Sequence, residues 1–265
     1  MKRLLAVIGD PIVHSKSPRM HNNAIKALKL DGLYLRYHLC DKNELKNTLF
    51  ALGLYGANIT LPFKEEALKI ADFKDDLALK IGSANTLLIK NKEIYAYNTD
   101  GLGFLKAIEN FTIIKKALIL GAGGTAKALA FMLDQKGVEV CVANRSKEKL
   151  LHFQNYENYT YDKLKVQEYD LIINTTSAGL KDESLPCEVN LLNELCKKAR
   201  YAFEVIYGKQ TPFLQLCKHN KLECKDGLDM LLWQGIFAFK LFFGLKDGAK
   251  DANIIKAMKE ALLLY

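Results

Sequence analysis

The chain is poor in the features that mark several large classes of protein. No C-x-x-C pair occurs among its six cysteines (Cys40, Cys141, Cys187, Cys196, Cys217 and Cys224), and no Cys/His cluster has zinc-site spacing. No metal is therefore expected. Several cysteines lie in apolar stretches, such as Cys141 in V-E-V-C-V-A, as free thiols of a reducing compartment do. No run approaches the ~20 apolar residues that a membrane span requires. The apolar stretch in M-K-R-L-L-A-V-I-G-D is too short for a signal peptide. A cytoplasmic protein with no membrane partner is expected. The net charge is +8, yet the lysines (Lys2, Lys16, Lys26, Lys64, Lys106, Lys147, Lys181, Lys240) are scattered. No basic stripe is interleaved with aromatics, so nucleic acid is not an expected partner. A lysine-rich surface of this kind still attracts anionic small molecules. Repeats and low-complexity linkers are missing too.

What remains is an ordinary globular composition, 49% hydrophobic and 26% charged over 265 residues. That length favours two domains over one core. Short branched apolar runs alternate with stretches of helical period. Leu4 to Ile8 predicts a strand, Pro18 to Leu30 a helix, Tyr34 to Cys40 a strand and Asn43 to Leu52 a helix. Ala57 to Thr60 predicts a strand that passes into a helix near Phe63. A second series begins with a strand over Ala117 to Leu120, a helix from Gly124 to Lys136 ended by Gly137, and a strand over Val138 to Ala143. Asp170 to Asn174 and Ala202 to Ile206 are uninterrupted apolar runs, as strands buried on both faces are. Helical patterns close the chain over Leu228 to Phe243 and Ala249 to Leu264. The class is α/β with mainly parallel sheets: an N-terminal α/β domain, then a Rossmann-like domain. Pattern alone leaves open which domain the last two helices cover.

The segment A-L-I-L-G-A-G-G-T-A contains a G-x-G-x-x-A fingerprint in Gly121, Gly123 and Ala126, with Ala122, Gly124 and Thr125 between them. It follows a predicted strand and opens a predicted helix, the context that dinucleotide binding requires. Gly121 permits the turn, Gly123 admits a pyrophosphate against the backbone, and Ala126 lets helix and strand approach. A NAD-specific site places Asp or Glu at the end of the next strand. Here that position reads Asn144, Arg145, Ser146, Lys147. Two cations where a 2′-phosphate would lie favour NADP, and a guanidinium suits phosphate geometry.

The first hundred residues hold several short polar motifs. Ser15 and Ser17 lie in H-S-K-S-P, where Ser17 before Pro18 makes a good helix cap, and capping alone would account for it. Asn58, Thr60 and Lys64 lie in N-I-T-L-P-F-K, Asn85 and Thr86 in G-S-A-N-T and Asp100 in N-T-D-G. S-K-S-P, N-I-T-L-P-F-K, G-S-A-N-T, Y-N-T-D-G, G-A-G-G-T-A, N-R-S, N-T-T-S-A-G and G-L-D-M-L-L-W-Q follow one another between about residues 7 and 240. In this order they resemble the shikimate dehydrogenase family.

The resemblance implies NADPH-linked, reversible reduction of 3-dehydroshikimate to shikimate, a step toward the aromatic amino acids. It implies that Ser15 and Ser17 bind the substrate carboxylate, helped by a helix N-terminus. Thr60, Asn85, Asp100 and Gln234 would hold ring hydroxyls, with Tyr207 near the substrate. Lys64 and Asp100 would form the catalytic pair, and Gly227 and Met230 would flank the nicotinamide. The implied domains are a substrate domain over residues 1–100 completed by 229–265, and a Rossmann-like NADP-binding domain over 101–228. The last helices would thus return to the first domain, with substrate and cofactor in the cleft between the two. Hydride reaching a ketone leaves negative charge on oxygen, which calls for a cation or proton donor such as Lys64. A lysine that exchanges protons near neutral pH needs a pKa well below ~10.4, and a neighbouring carboxylate pushes the other way.

One region departs from the family. The usual D-x-x-Y-x-P-x-x-T appears as E-V-I-Y-G-K-Q-T-P, with Glu204 for Asp, no Pro after Tyr207 and one residue fewer before Thr211. Gly208 offers a tighter turn there. None of the five histidines is a convincing catalyst, and His14 is expected to hold the serine loop or face solvent. Two other readings stay open. One is a quinate/shikimate dehydrogenase that uses NAD, against which Arg145 argues. The other is a non-catalytic NADP-binding protein, against which the retention of Lys64 and Asp100 argues. A monomer or a homodimer is expected.

Overall fold

The structure, a computed structural model, describes residues 2–248 and 250–263. The chain divides into two compact units, Met1–Gly103 with Leu231–Tyr265, and Phe104–Met230.

The first unit contains β1 (Arg3–Gly9), α1 (Ser17–Ala27), β2 (Gly32–His38), α2 (Leu45–Ala51), β3 (Gly56–Ile59) and α3 (Lys64–Lys69). It continues through β4 (Phe73–Lys74), α4 (Asp76–Ile81), β5 (Thr86–Lys90) and β6 (Glu93–Tyr97) into α5 (Asp100–Ala107), inside which the unit boundary falls. Its six strands run in the order β2-β1-β3-β5-β6-β4. The β1–β2, β1–β3 and β4–β6 pairs are parallel, whereas β5 is antiparallel to both β3 and β6. The sheet is therefore mainly parallel, with an inserted hairpin. Asn91 and Lys92 turn that hairpin at φ 53° and 66°, the left-handed pair that matches strand twist.

Some boundaries differ from the sequence pattern. The predicted helix to Leu30 stops at Ala27, because Lys29 takes a φ of 52° and Leu30 N–H folds back to the Ile25 carbonyl. Ser17 is the first residue of α1 rather than its cap, and no side chain caps that end. Instead the Ser15 hydroxyl accepts the Ser17 N–H at 3.3 Å.

The second unit holds β7 (Lys116–Leu120), α6 (Gly124–Asp134), β8 (Glu139–Asn144), α7 (Lys147–Leu150), β9 (Glu157–Thr160) and β10 (Tyr169–Asn174). Then follow α8 (Val189–Cys196), β11 (Ala199–Glu204), α9 (Pro212–His219) and β12 (Glu223–Lys225). All pairs of its six-stranded sheet are parallel, in the order β12-β11-β10-β7-β8-β9. The order reverses between β7 and β10, the place where open parallel sheets bind nucleotides. The strand predicted to Ile206 ends at Glu204, whose carboxylate turns back to accept the Ile206 N–H at 3.1 Å.

α10 spans Leu228–Phe243 and α11 spans Asp251–Leu263, while Ala249 and Leu264, the ends of the predicted last helix, lie outside the described residues. Both helices pack on the first unit. Asn23 donates to the Ala257 carbonyl at 2.6 Å and Arg3 to that of Phe242 at 3.0 Å. Gly235 of α10 lets α1 approach, since a Cβ there would lie 2.2 Å from Met20 Cε. Among the described residues no helix is long and apolar enough to cross a membrane.

Candidate active site

Lys64 stands at the first position of α3 and Asp100 at the first position of α5. The Lys64 ammonium donates to Asp100 Oδ2 at 2.5 Å, with the two side chains 13% and 8% exposed. A carboxylate suits the start of a helix, where backbone N–H groups and the dipole favour negative charge. Asn98 caps that helix, accepting the Asp100 and Gly101 N–H groups at 3.1 and 3.4 Å. The other carboxylate oxygen, Oδ1, accepts from Asn85 Nδ2 at 2.8 Å, and Asn85 also lies 3.3 Å from Gln234 Oε1. Gln234 is itself held through the Leu231 carbonyl at 2.9 Å. Four of the residues singled out in the sequence thus form one hydrogen-bonded cluster.

A second tier orients Asn85. Its Oδ1 accepts the Thr99 N–H at 2.7 Å. The β3–β5 register sets Asn58 opposite Thr86, and Asn58 Nδ2 donates to Thr86 Oγ1 at 3.0 Å. Asn58 Oδ1 in turn accepts from the Tyr34 hydroxyl at 2.7 Å. Tyr34 stacks on His21 with ring centroids 4.2 Å apart and planes 5° from parallel. His21 is wholly buried against Tyr34, Phe239 and Phe242, and neither ring nitrogen has a hydrogen-bond partner. Burial pushes its pKa down to about 3, so the ring is a neutral spacer. Asn58 stands out in N-I-T-L-P-F-K, but Tyr34 and His21 were missed from sequence, since nothing local distinguishes a supporting side chain.

Ser15 and Ser17 are buried together at the start of α1. Arg36 holds their loop by donating to the Ser15 carbonyl at 2.6 Å. His14 is exposed. Thr60 follows β3, half-buried, with its N–H on the Ile8 carbonyl at 2.9 Å. Gly9 leaves room for it, because a Cβ at Gly9 would sit 2.3 Å from Thr60 Cγ2.

In the second unit the glycine fingerprint occupies the turn from β7 into α6. Gly121 has φ 109°, and a Cβ there would meet Thr175 Oγ1 at 2.5 Å. Thr175 belongs to N-T-T-S-A-G and donates to the Leu120 carbonyl at 2.8 Å, which ties the ends of β7 and β10 together. A Cβ at Gly123 would meet nothing within 4 Å, so the turn presents open backbone ahead of α6. Gly124 and Thr125 begin the helix, and buried Ala122 and Ala126 pack the turn against the sheet. At the end of β8, Asn144 donates to the Ser146 carbonyl at 3.0 Å. Arg145 and Lys147 are exposed there. Open backbone and a helix N-terminus at the switch point, with exposed cations at the end of the neighbouring β8, fit a dinucleotide carrying an extra phosphate.

Glu204 explains the shortened loop. Its buried carboxylate accepts from Asn174 at 2.8 Å and Thr211 at 2.9 Å. Thr211 also caps α9 through Leu214 N–H. Gly208 takes φ 70° and donates to Asp226 at 3.2 Å, making the tight turn, with Tyr207 half-buried just before it. Burial raises the Glu204 pKa to about 7 against those hydrogen bonds. Gly227 is buried beneath Val205, whose carbonyl oxygen would lie 2.2 Å from a Cβ, and Met230 is buried three residues on. Among the described residues no group of three or more His, Cys, Asp or Glu side chains could hold a metal ion.

Fold and site define a dinucleotide-dependent α/β oxidoreductase with a lysine–carboxylate pair. A family model for the shikimate dehydrogenase substrate binding domain matches residues 7–87, and one for shikimate / quinate 5-dehydrogenase matches residues 106–181. The chain is 45% identical over 246 residues to a shikimate dehydrogenase (NADP(+)) of Helicobacter hepaticus, and 38% identical over 257 residues to one of Aquifex aeolicus; each match covers 91% of both chains. The solved Thermus thermophilus shikimate 5-dehydrogenase, in complex with NADP(H) and shikimate, matches with a TM-score of 0.82 at 34% identity over 98% of this chain and 99% of that one. The chain belongs to the shikimate dehydrogenase family.

Proposed function

We propose that this enzyme catalyses the reversible NADPH-linked reduction of 3-dehydroshikimate to shikimate, with Lys64 and Asp100 as its catalytic pair. The observation that carries this reading is the 2.5 Å Lys64–Asp100 contact, braced by Asn85 and Gln234. What a bound NADPH supplies is the hydride. As the new C–H bond forms, the carbonyl oxygen gathers negative charge, and the Lys64 ammonium stabilises it and donates the proton that completes the alcohol. Asp100 keeps Lys64 aimed through one oxygen and accepts from a neighbouring ring hydroxyl. Thr60, Asn85 and Gln234 hold the remaining hydroxyls, while Ser15 and Ser17 receive the carboxylate at the start of α1. Tyr207 lies beside the substrate in this reading.

The cofactor contacts in this reading rest on the glycine turn and, for the nicotinamide, on the resemblance to the family. Gly121 to Ala126 receive the pyrophosphate, Arg145 and Lys147 the 2′-phosphate with Asn144 and Ser146 framing them, and Gly227 and Met230 the nicotinamide. The test is reduced-cofactor absorbance with shikimate or quinate, each offered with NADP or NAD. Turnover concentrated on shikimate with NADP is the expected result. Comparable turnover of quinate or a preference for NAD would overturn the substrate or cofactor assignment. NADP binding without turnover of any pair would overturn the catalytic one.

A further inference from the structure

Glu204 stands where the family pattern has Asp, and its carboxylate is the hub of the segment around the shortened loop. Glu204, Asn174 and Thr211 are all wholly buried. Glu204 Oε2 accepts from Asn174 Nδ2 at 2.8 Å and from the Thr211 hydroxyl at 2.9 Å, while Oε1 accepts the Ile206 N–H at 3.1 Å. The three donors come from different places: the end of β10, the residue before α9 and the chain just after β11. Replacing a buried charge by an apolar contact is often neutral or stabilising, so packing alone does not account for a carboxylate at this point.

The bond to Ile206 reaches beyond the hub. The Ile206 N–H and the Val205 carbonyl belong to one planar peptide unit, so holding the first holds the second. A Cβ on Gly227 would lie 2.2 Å from that carbonyl oxygen, and the next carbonyl, of Ile206, accepts the Gly227 N–H at 3.2 Å. Gly227 thus rests on the peptide that Glu204 pins. The peptide before it is pinned too, because the Val205 N–H donates to the Asn174 carbonyl at 3.1 Å. Asn174 and Glu204 together fix the backbone on both sides of Val205.

We propose that Glu204 is a positioning residue for hydride transfer: by pinning the Val205–Ile206 peptide it sets where Gly227 stands, and with it the nicotinamide ring. This rests on the reading in which Gly227 and Met230 flank that ring. Being wholly buried, Glu204 acts through the backbone and not by contact with the cofactor. Hydride transfer is sensitive to such placement, since a shift of about 1 Å costs on the order of 10²-fold in rate. In the same reading the pyrophosphate and 2′-phosphate are held on other elements, at the turn after β7 and the end of β8. Loss of the Glu204 hub therefore separates the nicotinamide from the rest of the cofactor.

The test is Glu204→Gln in the full-length protein. The amide keeps the size of the side chain, but whichever way round it lies its NH2 faces a donor, either the Ile206 N–H or the Asn174 and Thr211 pair. Adenosine 2′,5′-bisphosphate, which lacks the nicotinamide, is expected to bind the variant within about twofold of wild type. The fluorescence of bound NADPH, which reports the surroundings of its reduced ring, should revert toward that of the free cofactor. Turnover should show kcat lowered about tenfold or more, with the KM for shikimate little changed. Thr211→Ser keeps the hydroxyl and should behave as wild type. Thr211→Val should repeat the Glu204→Gln pattern, and the double variant should be little worse than either single one. Wild-type NADPH fluorescence in Glu204→Gln would overturn the proposal. So would an equal loss of bisphosphate affinity, which would mark general damage to the second unit. A wild-type protein that turned over no shikimate would strike instead at the proposed reaction, and the two binding measurements would still decide the role of Glu204.

Discussion

The cluster around Lys64 and the glycine turn before α6 are built in opposite ways. Lys64 and Asp100 are 36 positions apart in the chain, and Asn85 and Gln234 are 149 apart. Their geometry exists only because β3, β5, α3, α5 and α10 are packed around them. The turn uses contiguous residues, Gly121 to Ala126, with long-range support from Ala143, Thr175 and Thr176. The cluster is charged, buried and hydrogen-bonded before any ligand arrives, whereas the turn presents open backbone. A site that must orient a proton donor needs fixed distances, while a phosphate site needs mainly accessible N–H groups and a helix end.

Removing Lys64 is the strongest way to test that contrast. Lys64→Ala is expected to lower kcat by about 10²–10⁴-fold, the usual scale for a lost acid–base group. NADP affinity, measured by fluorescence titration, should stay near the wild-type value. A comparable loss of NADP binding would mean that the two regions are not separable.

The next effect comes from buried titratable groups, one in each unit, that respond to pH in opposite directions. The folded pKa of His21 is depressed from 6.5 to about 3, so its contribution is present above pH 6.5 and lost as pH falls toward 3. That loss runs at roughly 1.4 kcal/mol per pH unit. The folded pKa of Glu204 is raised from 4.5 to about 7, so its contribution is complete below pH 4.5 and lost as pH rises through 7. Denaturant midpoints between pH 4 and 8 should show the two opposing each other. His21→Phe should remove the acid-side loss, and Glu204→Gln the loss toward neutrality. A His21→Phe variant with an unchanged acid limb would sink the first assignment.

Two glycine substitutions sharpen the account of the turn. Gly121→Ala strains a positive φ and crowds Thr175, and should cost about 1–3 kcal/mol of stability. Gly123→Ala meets open space, so its melting temperature should stay close to wild type while NADP affinity falls about tenfold, or ~1.4 kcal/mol. The reverse pattern would mean that the pyrophosphate does not approach Gly123.

The smallest effect belongs to the supporting tier. Tyr34→Phe keeps the stack on His21 but removes the bond to Asn58, with an expected cost of about 1–2 kcal/mol. A few-fold fall in kcat should accompany it if Asn58 steadies Asn85. Unchanged kcat with lowered stability would leave Tyr34 a purely structural residue.

The buried parallel strands were legible because each is an apolar run bounded by polar residues, as with Ala117 to Leu120 and Asp170 to Asn174. The β5–β6 hairpin was not. Its turn is Asn91-Lys92 instead of a glycine pair, so the usual local signal of a tight hairpin is missing. β12 and β4 are too short to announce themselves, and β9 carries E-N-Y-T with no buried residue. At the site, Lys64, Asp100, Asn85 and Gln234 were named from their motifs. Tyr34, His21, Gly9 and Thr175 were not, because their importance lies in what they touch.

By itself the sequence determined the α/β alternation, the glycine turn with its neighbouring cations, and the ordered motifs of the family. Each of these is local, carried by period, by φ preference or by a few adjacent side chains. Tertiary structure alone decided that Glu204 reaches Thr211 across the shortened loop, and that a neutral histidine stacks on the Tyr34 ring whose hydroxyl donates to Asn58. Distances between side chains on different elements depend on strand register and helix packing, and neither is written in any single stretch of the chain.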